Sequence, residues 1–335
     1  MKTEAFDYDL PQELIAQKPL KVRHESRLLV YDRKTDKISH TWFKQISRFV
    51  SSGDILVVNR TRVIPARIFG KKTTGGKAEV LLLRKISEKT WEVLVGGKGL
   101  SEGKKIHFPG GLQAVIIQEL SASKRIIEFN QHVEEQLNEI GHTPIPPYIH
   151  EELEDPERYQ TIFARVPGSA AAPTAGLHFT ESVTSDLQKK GASIEEITLH
   201  VGLDTFAPVT ENRVEDHQIH SEWCEVSEIT AERINRAVGQ GSKIFSVGTT
   251  SARTLETAAT EGGVRAYQGD TDLFIFPGYQ FRVVDCLLTN FHLPRSSLLM
   301  MVSAFAGLEN IMRCYREAVE KQYRFYSFGD AMLIL

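Results

Sequence analysis

Hydrophobic positions along the chain change rhythm twice. In residues 1–60 short apolar runs alternate with helical spacing. Residues 28–31 (LLVY) predict a buried strand. Trp42, Phe43, Ile46, Phe49 and Val50 recur at helical intervals, Ser51-Ser52-Gly53 stops that helix, and residues 55–58 start a second buried strand. Between about residues 60 and 132 the rhythm becomes that of short strands: 62–69, 78–84, 91–95, 105–108, 112–117 and 125–129. Glycine-rich turns at 73–76, 96–99 and 109–111 separate them. Short strands joined this way predict a small barrel or sandwich.

Residues 144–147 (PIPP) close that block. Asp155-Pro156 then opens a helix, with Asp as N-cap and Pro at the first helical position. From there helices (180–190, 230–238, 296–305, 310–323) alternate with strands (194–201, 243–247, 273–276, 283–288), and residues 331–335 form an apolar tail. The expectation is an α/β fold, a mixed sheet covered by helices, with an inserted all-β barrel domain. Residues 1–60 and 150–335 make the main domain, and 61–149 the barrel.

Composition narrows the classes. The 335 residues are 41% hydrophobic and 25% charged, which excludes a disordered chain. The formal net charge of −3 does not announce a nucleic-acid binder. Locally the picture differs: residues 60–110 hold twelve Lys and Arg against four acids. Three widely spaced cysteines without a CxxC pair argue against a disulfide framework and fit a reducing compartment. Residues 1–10 carry Lys2, Glu4, Asp7 and Asp9 and no apolar leader, and the longest apolar stretch, 296–307, is too short to cross a bilayer. A cytoplasmic protein without membrane attachment is expected.

Five segments could carry chemistry. Residues 168–180 (GSAAAPTAGLHFT) are small and aperiodic, so a ligand can approach their backbone, and His178 and Phe179 adjoin them. His200 ends a predicted strand before Gly202, where α/β sheets bind ligands. His217, His220 and Cys224 show HxxHxxxC spacing, but a fourth ligand at compatible spacing is missing, so no metal is expected; the alternative is a polar loop bringing His220, Ser221 and Glu222 to a site. Residues 245–257 (FSVGTTSARTLET) pass from a strand through Gly248 to Thr249, Thr250 and Ser251 at a helix start, a place suited to an anion. Residues 289–297 (TNFHLPRSS) put His292 and Arg295 in a similar loop. P-loop, GxGxxG and GxSxG patterns are absent.

Together these segments resemble the S-adenosylmethionine:tRNA ribosyltransferase-isomerase family of the queuosine pathway. The likeness runs through FDYDLPQELIAQKP (6–19), GDILVVNRTRVIPARIFGKKTTGGKAEVLLL (53–83), PPYI, ERYQ, the 168–180 loop, TLHVGL, HSE, VGTTSARTLE, TNFHLPRSSLLMMVSAF and FGDAM, in order. Where the family usually has LHVGLGTFRPV, this chain has Asp204 and Ala207.

The resemblance implies an α/β domain with an inserted barrel. It also implies transfer of the ribosyl part of S-adenosylmethionine to 7-aminomethyl-7-deazaguanine at the wobble position of tRNA, with release of adenine and methionine. S-adenosylmethionine is then a co-substrate, tRNA the partner, no prosthetic group is needed, and a monomer is expected. Such chemistry needs a base and an acid near the ribose, a clamp for the methionine carboxylate and a basic surface for RNA. The catalytic candidates are His178, His200, His220 and His292, expected in one cleft, with no single one assigned as the base. The S-adenosylmethionine candidates are Ala172, Thr174, Gly176, Phe179, Gly248, Thr249, Thr250 and Ser251. Two rival readings stand beside this one. A non-catalytic RNA-binding barrel leaves the histidine motifs without a task, and an ordinary methyltransferase lacks its glycine-rich strand–helix turn.

Overall fold

In the larger unit (Met1–Thr61, Pro147–Val166 and Ala172–Leu335) the core is one mixed sheet. Its nine strands among the described residues run in the order Tyr267–Thr271, Glu222–Val226, Ser193–Leu199, Ile55–Asn59, Ile244–Val247, Cys286–Asn290, Ala331–Ile334, Arg27–Asp32, Lys37–Trp42. The computed structural model describes every residue except Ala122, Glu152, Leu203, Asp204, Phe206 and Ala207, and the backbone alone of Ser121. Asp204 and Ala207, the departures from the family pattern, thus lie outside the described residues.

Four adjacent strands, Ser193–Leu199, Ile55–Asn59, Ile244–Val247 and Cys286–Asn290, are mutually parallel. The last three are buried at every residue, the signature of a sheet covered on both faces. Helices Glu181–Lys189, Glu228–Gly239, Thr249–Thr257, Ser297–Ala306 and Leu308–Glu320 supply the cover. Ser227 and Ser296 cap two of them, accepting from Thr230 N and Leu299 N at 3.2 Å each. The apolar tail is a strand, Ala331–Ile334, inserted between Cys286–Asn290 and the N-terminal Arg27–Asp32.

The smaller unit (Arg62–Pro146 with Pro167–Ala171) holds a closed six-stranded antiparallel barrel. Around the ring come Arg67–Lys72, Lys77–Lys85, Thr90–Gly96, Lys124–Phe129, Gln113–Ser121 and Lys105–His107. Lys71 opposite His107 and Lys72 opposite Ile106 close it. Ile68, Val80, Val93, Ile106, Leu112, Ile116 and Ile127 fill the interior with no exposed surface. Gly70 permits the closure: a Cβ there would stand 2.7 Å from the His107 carbonyl and 2.7 Å from the Phe108 ring.

Several sequence expectations shift. The first barrel strand is broken, with Thr61–Val63 and Arg67–Lys72 on either side of Pro65, which has no N–H to continue a ladder. Residues 43–49 form a 3-10 helix, and the polar strand Lys37–Trp42 before it escaped notice because its residues are mostly exposed. The Asp155 cap is present, its carboxylate accepting from Glu157 N at 2.9 Å, but the turn it starts is 3-10. Residues 273–276 are not a strand; the edge strand is Tyr267–Thr271. Val283 and Val284 are not laddered either, because the buried Glu256 carboxylate takes their N–H groups at 3.0 and 3.1 Å.

Candidate functional site

Because the four central strands are parallel, their carboxyl ends share one edge of the sheet, the edge at which open α/β sheets bind ligands. Thr61, His200, Gly248–Thr249 and Phe291–His292 follow those ends. Ala331–Ile334 runs antiparallel to Cys286–Asn290, so residues 326–330 arrive at the same edge. There a cleft opens, lined by residues 172–175, 248–250 and 289–293 together with Tyr148, Val201, Thr205, Ser296, Leu298, Tyr326 and Ser327.

Local sequence explains the walls. Gly248 has φ +90°, a conformation glycine adopts without strain. It precedes the helix Thr249–Thr257, whose N-terminus no side chain caps. The first-turn N–H groups and the Thr249 and Thr250 hydroxyls are therefore donors at the cleft. Opposite them the 3-10 turn Thr174–His178 follows Ala172 and Pro173, small side chains that leave the space open.

The four histidines are placed differently. His292 lines the cleft, its Nε2 2.7 Å from Thr289 Oγ1, and burial pushes its pKa down to about 3. His178 lies in a neighbouring recess with Arg23, Ser26 and Arg158, held by Ser26 Oγ at 2.8 Å and Asn290 Nδ2 at 3.2 Å. Burial, then the charges of Arg324 and Arg23, bring it to about 3 as well. His220 lies in another recess that shares Thr205, Thr249, Thr250 and Leu298 with the cleft; its Nε2 is 3.1 Å from Thr205 Oγ1 and 3.3 Å from Glu222 Oε1. His200 is stacked on Trp223 (centroids 5.2 Å) with Nδ1 2.9 Å from Thr61 Oγ1, and burial lowers its pKa against the opposing pull of Glu225. So the histidines gather at one sheet edge but do not line one cleft.

Of the S-adenosylmethionine candidates, Ala172, Thr174, Gly248, Thr249 and Thr250 line the cleft. Three do not. Phe179 is wholly buried, edge-on to Phe43 and Phe163, so it belongs to the core and presents no face to a ligand. Gly176 packs against Thr161 and Phe163. Ser251 points into the protein, its Oγ buried without a hydrogen-bond partner. The chain reading also missed two asparagines. Asn59 spans two strand ends, giving Nδ2–H to Leu199 O at 2.9 Å and accepting from Thr61 N and Leu199 N. Asn290 accepts from the Thr174 hydroxyl at 3.0 Å and donates to His178 and Tyr326 O. Each is the polar last residue of an apolar strand (VVN, LLTN), the one signal that marked them.

Glu222 and Arg253 form a buried ion pair in the His220 recess, 2.7 Å apart. Burial by itself would raise the Glu222 carboxyl; the His220 hydrogen bond, the His220 and Arg253 charges and the Gly202 N–H together hold it below its ordinary value. The HxxHxxxC residues do not converge: His217 faces Glu211 at 3.1 Å, and burial pushes the Cys224 thiol up to about 12. Among the described residues no group of three or more His, Cys, Asp or Glu is arranged to hold a metal ion, and no helix is long and apolar enough to cross a membrane.

A mixed sheet with small-residue loops and neutral imidazoles at its parallel strand ends, and a closed barrel within the same chain, defines an α/β enzyme with a barrel insertion. The chain belongs to the family described as queuosine biosynthesis protein, whose model matches residues 3–334. A relative from Carboxydothermus hydrogenoformans named S-adenosylmethionine:tRNA ribosyltransferase-isomerase is 52% identical over 339 residues, covering all of both chains. One of the same name from Staphylococcus haemolyticus is 50% identical over 341 residues, again covering all of both. The crystal structure of S-adenosylmethionine tRNA ribosyltransferase from Thermotoga maritima superposes with a TM-score of 0.58 at 38% identity, covering 99% of this chain and 100% of that one.

Proposed function

We propose that this chain is a cytoplasmic, monomeric S-adenosylmethionine:tRNA ribosyltransferase-isomerase. It moves the ribosyl part of S-adenosylmethionine onto 7-aminomethyl-7-deazaguanine at the tRNA wobble position, giving epoxyqueuosine-tRNA, adenine and methionine. The observation that carries the reading is family membership along the whole chain, joined to a cleft at the carboxyl ends of the parallel strands.

The sulfonium acidifies the neighbouring 5′ carbon, so a base can take a proton there. Elimination opens the ribose and expels adenine, the deazaguanine amine attacks the activated fragment, and methionine departs. His292 stands on the cleft wall and is our candidate for that base; the burial that lowers its pKa to about 3 keeps the ring unprotonated at neutral pH but also weakens it as a proton acceptor. The uncapped helix start with Thr249 and Thr250 receives the methionine carboxylate. Ala172 and Ala175 leave room for the adenosine. Product analysis tests the reading. Purified protein with S-adenosylmethionine and deazaguanine-bearing tRNA should release adenine and methionine without added metal. S-adenosylhomocysteine instead would make it a methyltransferase, and neither product would make it a binding protein.

A further inference from the structure

Phe69 is 47% exposed in the middle of a barrel strand. Alternate residues of a strand share a face, so Arg67 and Lys71 stand beside it, Lys71 about 6.6 Å along the strand. Register sets Glu79 opposite Phe69 and Lys77 opposite Lys71 on one neighbour, and His107 opposite Lys71 and His142 opposite Arg67 on others. The His142 ring meets the Phe69 ring edge-on, centroids 5.2 Å apart at 64°. That contact braces the aromatic while leaving a face open.

The charges around it are sorted. Arg67 Nε neutralises Glu79 at 3.2 Å. Lys72 turns away, its Nζ on the Lys98 carbonyl at 2.6 Å. Lys71 and Lys77 are exposed, and among the described residues no carboxylate pairs with either. A protein partner would want an apolar patch around Phe69, and here its neighbours are polar and charged, the Arg67–Glu79 ion pair beside it and Lys71 and Lys77 beyond. A base pair in a duplex hides its faces. An unpaired base offers a flat face to Phe69 and an adjoining phosphate to the two lysines, which stand together on one side of it.

We propose that Phe69, braced by His142 and with Lys71 and Lys77 paired on one side of it, is a stacking platform for one unpaired nucleobase of the RNA substrate. The inference rests on tRNA being that substrate, and it assigns the barrel a contact that reads single-stranded character, not only charge.

Binding of the full-length protein to an RNA stem-loop and to a fully paired RNA of equal phosphate number, followed by fluorescence anisotropy over a salt series, tests this. Phe69→Ala should weaken stem-loop binding about 10-fold at every salt concentration, within what one base–aromatic stack contributes. Its melting temperature, its salt slope and its affinity for the paired RNA should stay those of the wild type, and Phe69→Tyr should bind normally. The double variant Lys71→Gln, Lys77→Gln should instead flatten the salt slope, by roughly 1.5. Wild-type stem-loop affinity in Phe69→Ala overturns the platform, as does an equal loss on the paired RNA or full rescue by Phe69→Leu. Adenine release on the same preparations separates the two claims. Release with a silent Phe69→Ala sinks the platform alone; no release with a loop-specific Phe69→Ala defect sinks the reaction and keeps the platform.

Discussion

The side-chain amide of Asn290 donates to Nε2 of His178 across 3.2 Å. The Thr174 hydroxyl on Oδ1 and the Tyr326 carbonyl on Nδ2 orient that amide. An N–H cannot face another N–H, so His178 is neutral, with its proton on Nδ1 directed at Ser26 Oγ, 2.8 Å away. A residue of the cleft wall and a histidine of the neighbouring recess are thereby joined through one asparagine. Asn290→Asp would put a carboxylate against Nε2 and should raise the His178 pKa by about 1–3 units, read by NMR titration of the imidazole. An unmoved titration would show that the amide does not hold the neutral form.

Acid stability should carry the mark of both buried imidazoles. His178 and His292 each drop from 6.5 to about 3 in the fold. Above pH 6.5 neither state takes the protons, so their contribution to stability is at its maximum there. Between 6.5 and 3 the unfolded chain binds protons that the native one refuses, so stability falls as pH falls, by up to about 1.4 kcal/mol per pH unit for each group. Urea unfolding at pH 7, 6, 5 and 4 measures the slope, and His178→Gln or His292→Gln should each remove about half of it.

For the reaction itself, His292→Ala should lower turnover by about 100-fold or more while S-adenosylmethionine affinity stays near normal. Single-turnover adenine release with a separate binding measurement distinguishes the two quantities. Near wild-type turnover would remove His292 as the base. The nearby carboxylates are poor substitutes, since Asp330 is engaged by Arg27 and Arg324 N and Glu222 by Arg253.

Two substitutions probe the S-adenosylmethionine walls. Ala172→Leu fills the cleft, and Thr250→Val removes a donor at the helix start while keeping its volume. Both should raise the S-adenosylmethionine dissociation constant, by about 10-fold for a lost charge-assisted donor, with RNA affinity unchanged. Calorimetric titration beside a melting curve decides the matter, because a loss that only tracks unfolding would assign these residues to the fold.

Glu222→Ala leaves Arg253 charged and buried without its partner. Losing one side of such a pair costs about 3–5 kcal/mol, so the variant should unfold at clearly lower urea concentration. A variant as stable as the parent would mean that water or another acceptor compensates Arg253.

The chain alone determined what local pattern can encode. Apolar runs placed the strands Ile55–Asn59 and Ile244–Val247 to within a residue, and glycine turns marked out the barrel strands. The small-residue loop and Gly248 declared themselves because φ and steric room are properties of single residues. What pairs with what was decided only in three dimensions. Whether Phe179 is a ligand platform or core depends on Phe43, far away in the chain, and the Asn290–His178 contact joins residues 112 positions apart. The tail 331–335 looked like an apolar end, yet its strand Ala331–Ile334 enters the middle of the sheet. Glu256 removes two valines from a strand that their β-branched run favours. Burial and hydrogen-bond partners are set by neighbours brought from elsewhere in the chain, and no spacing rule within a segment contains them.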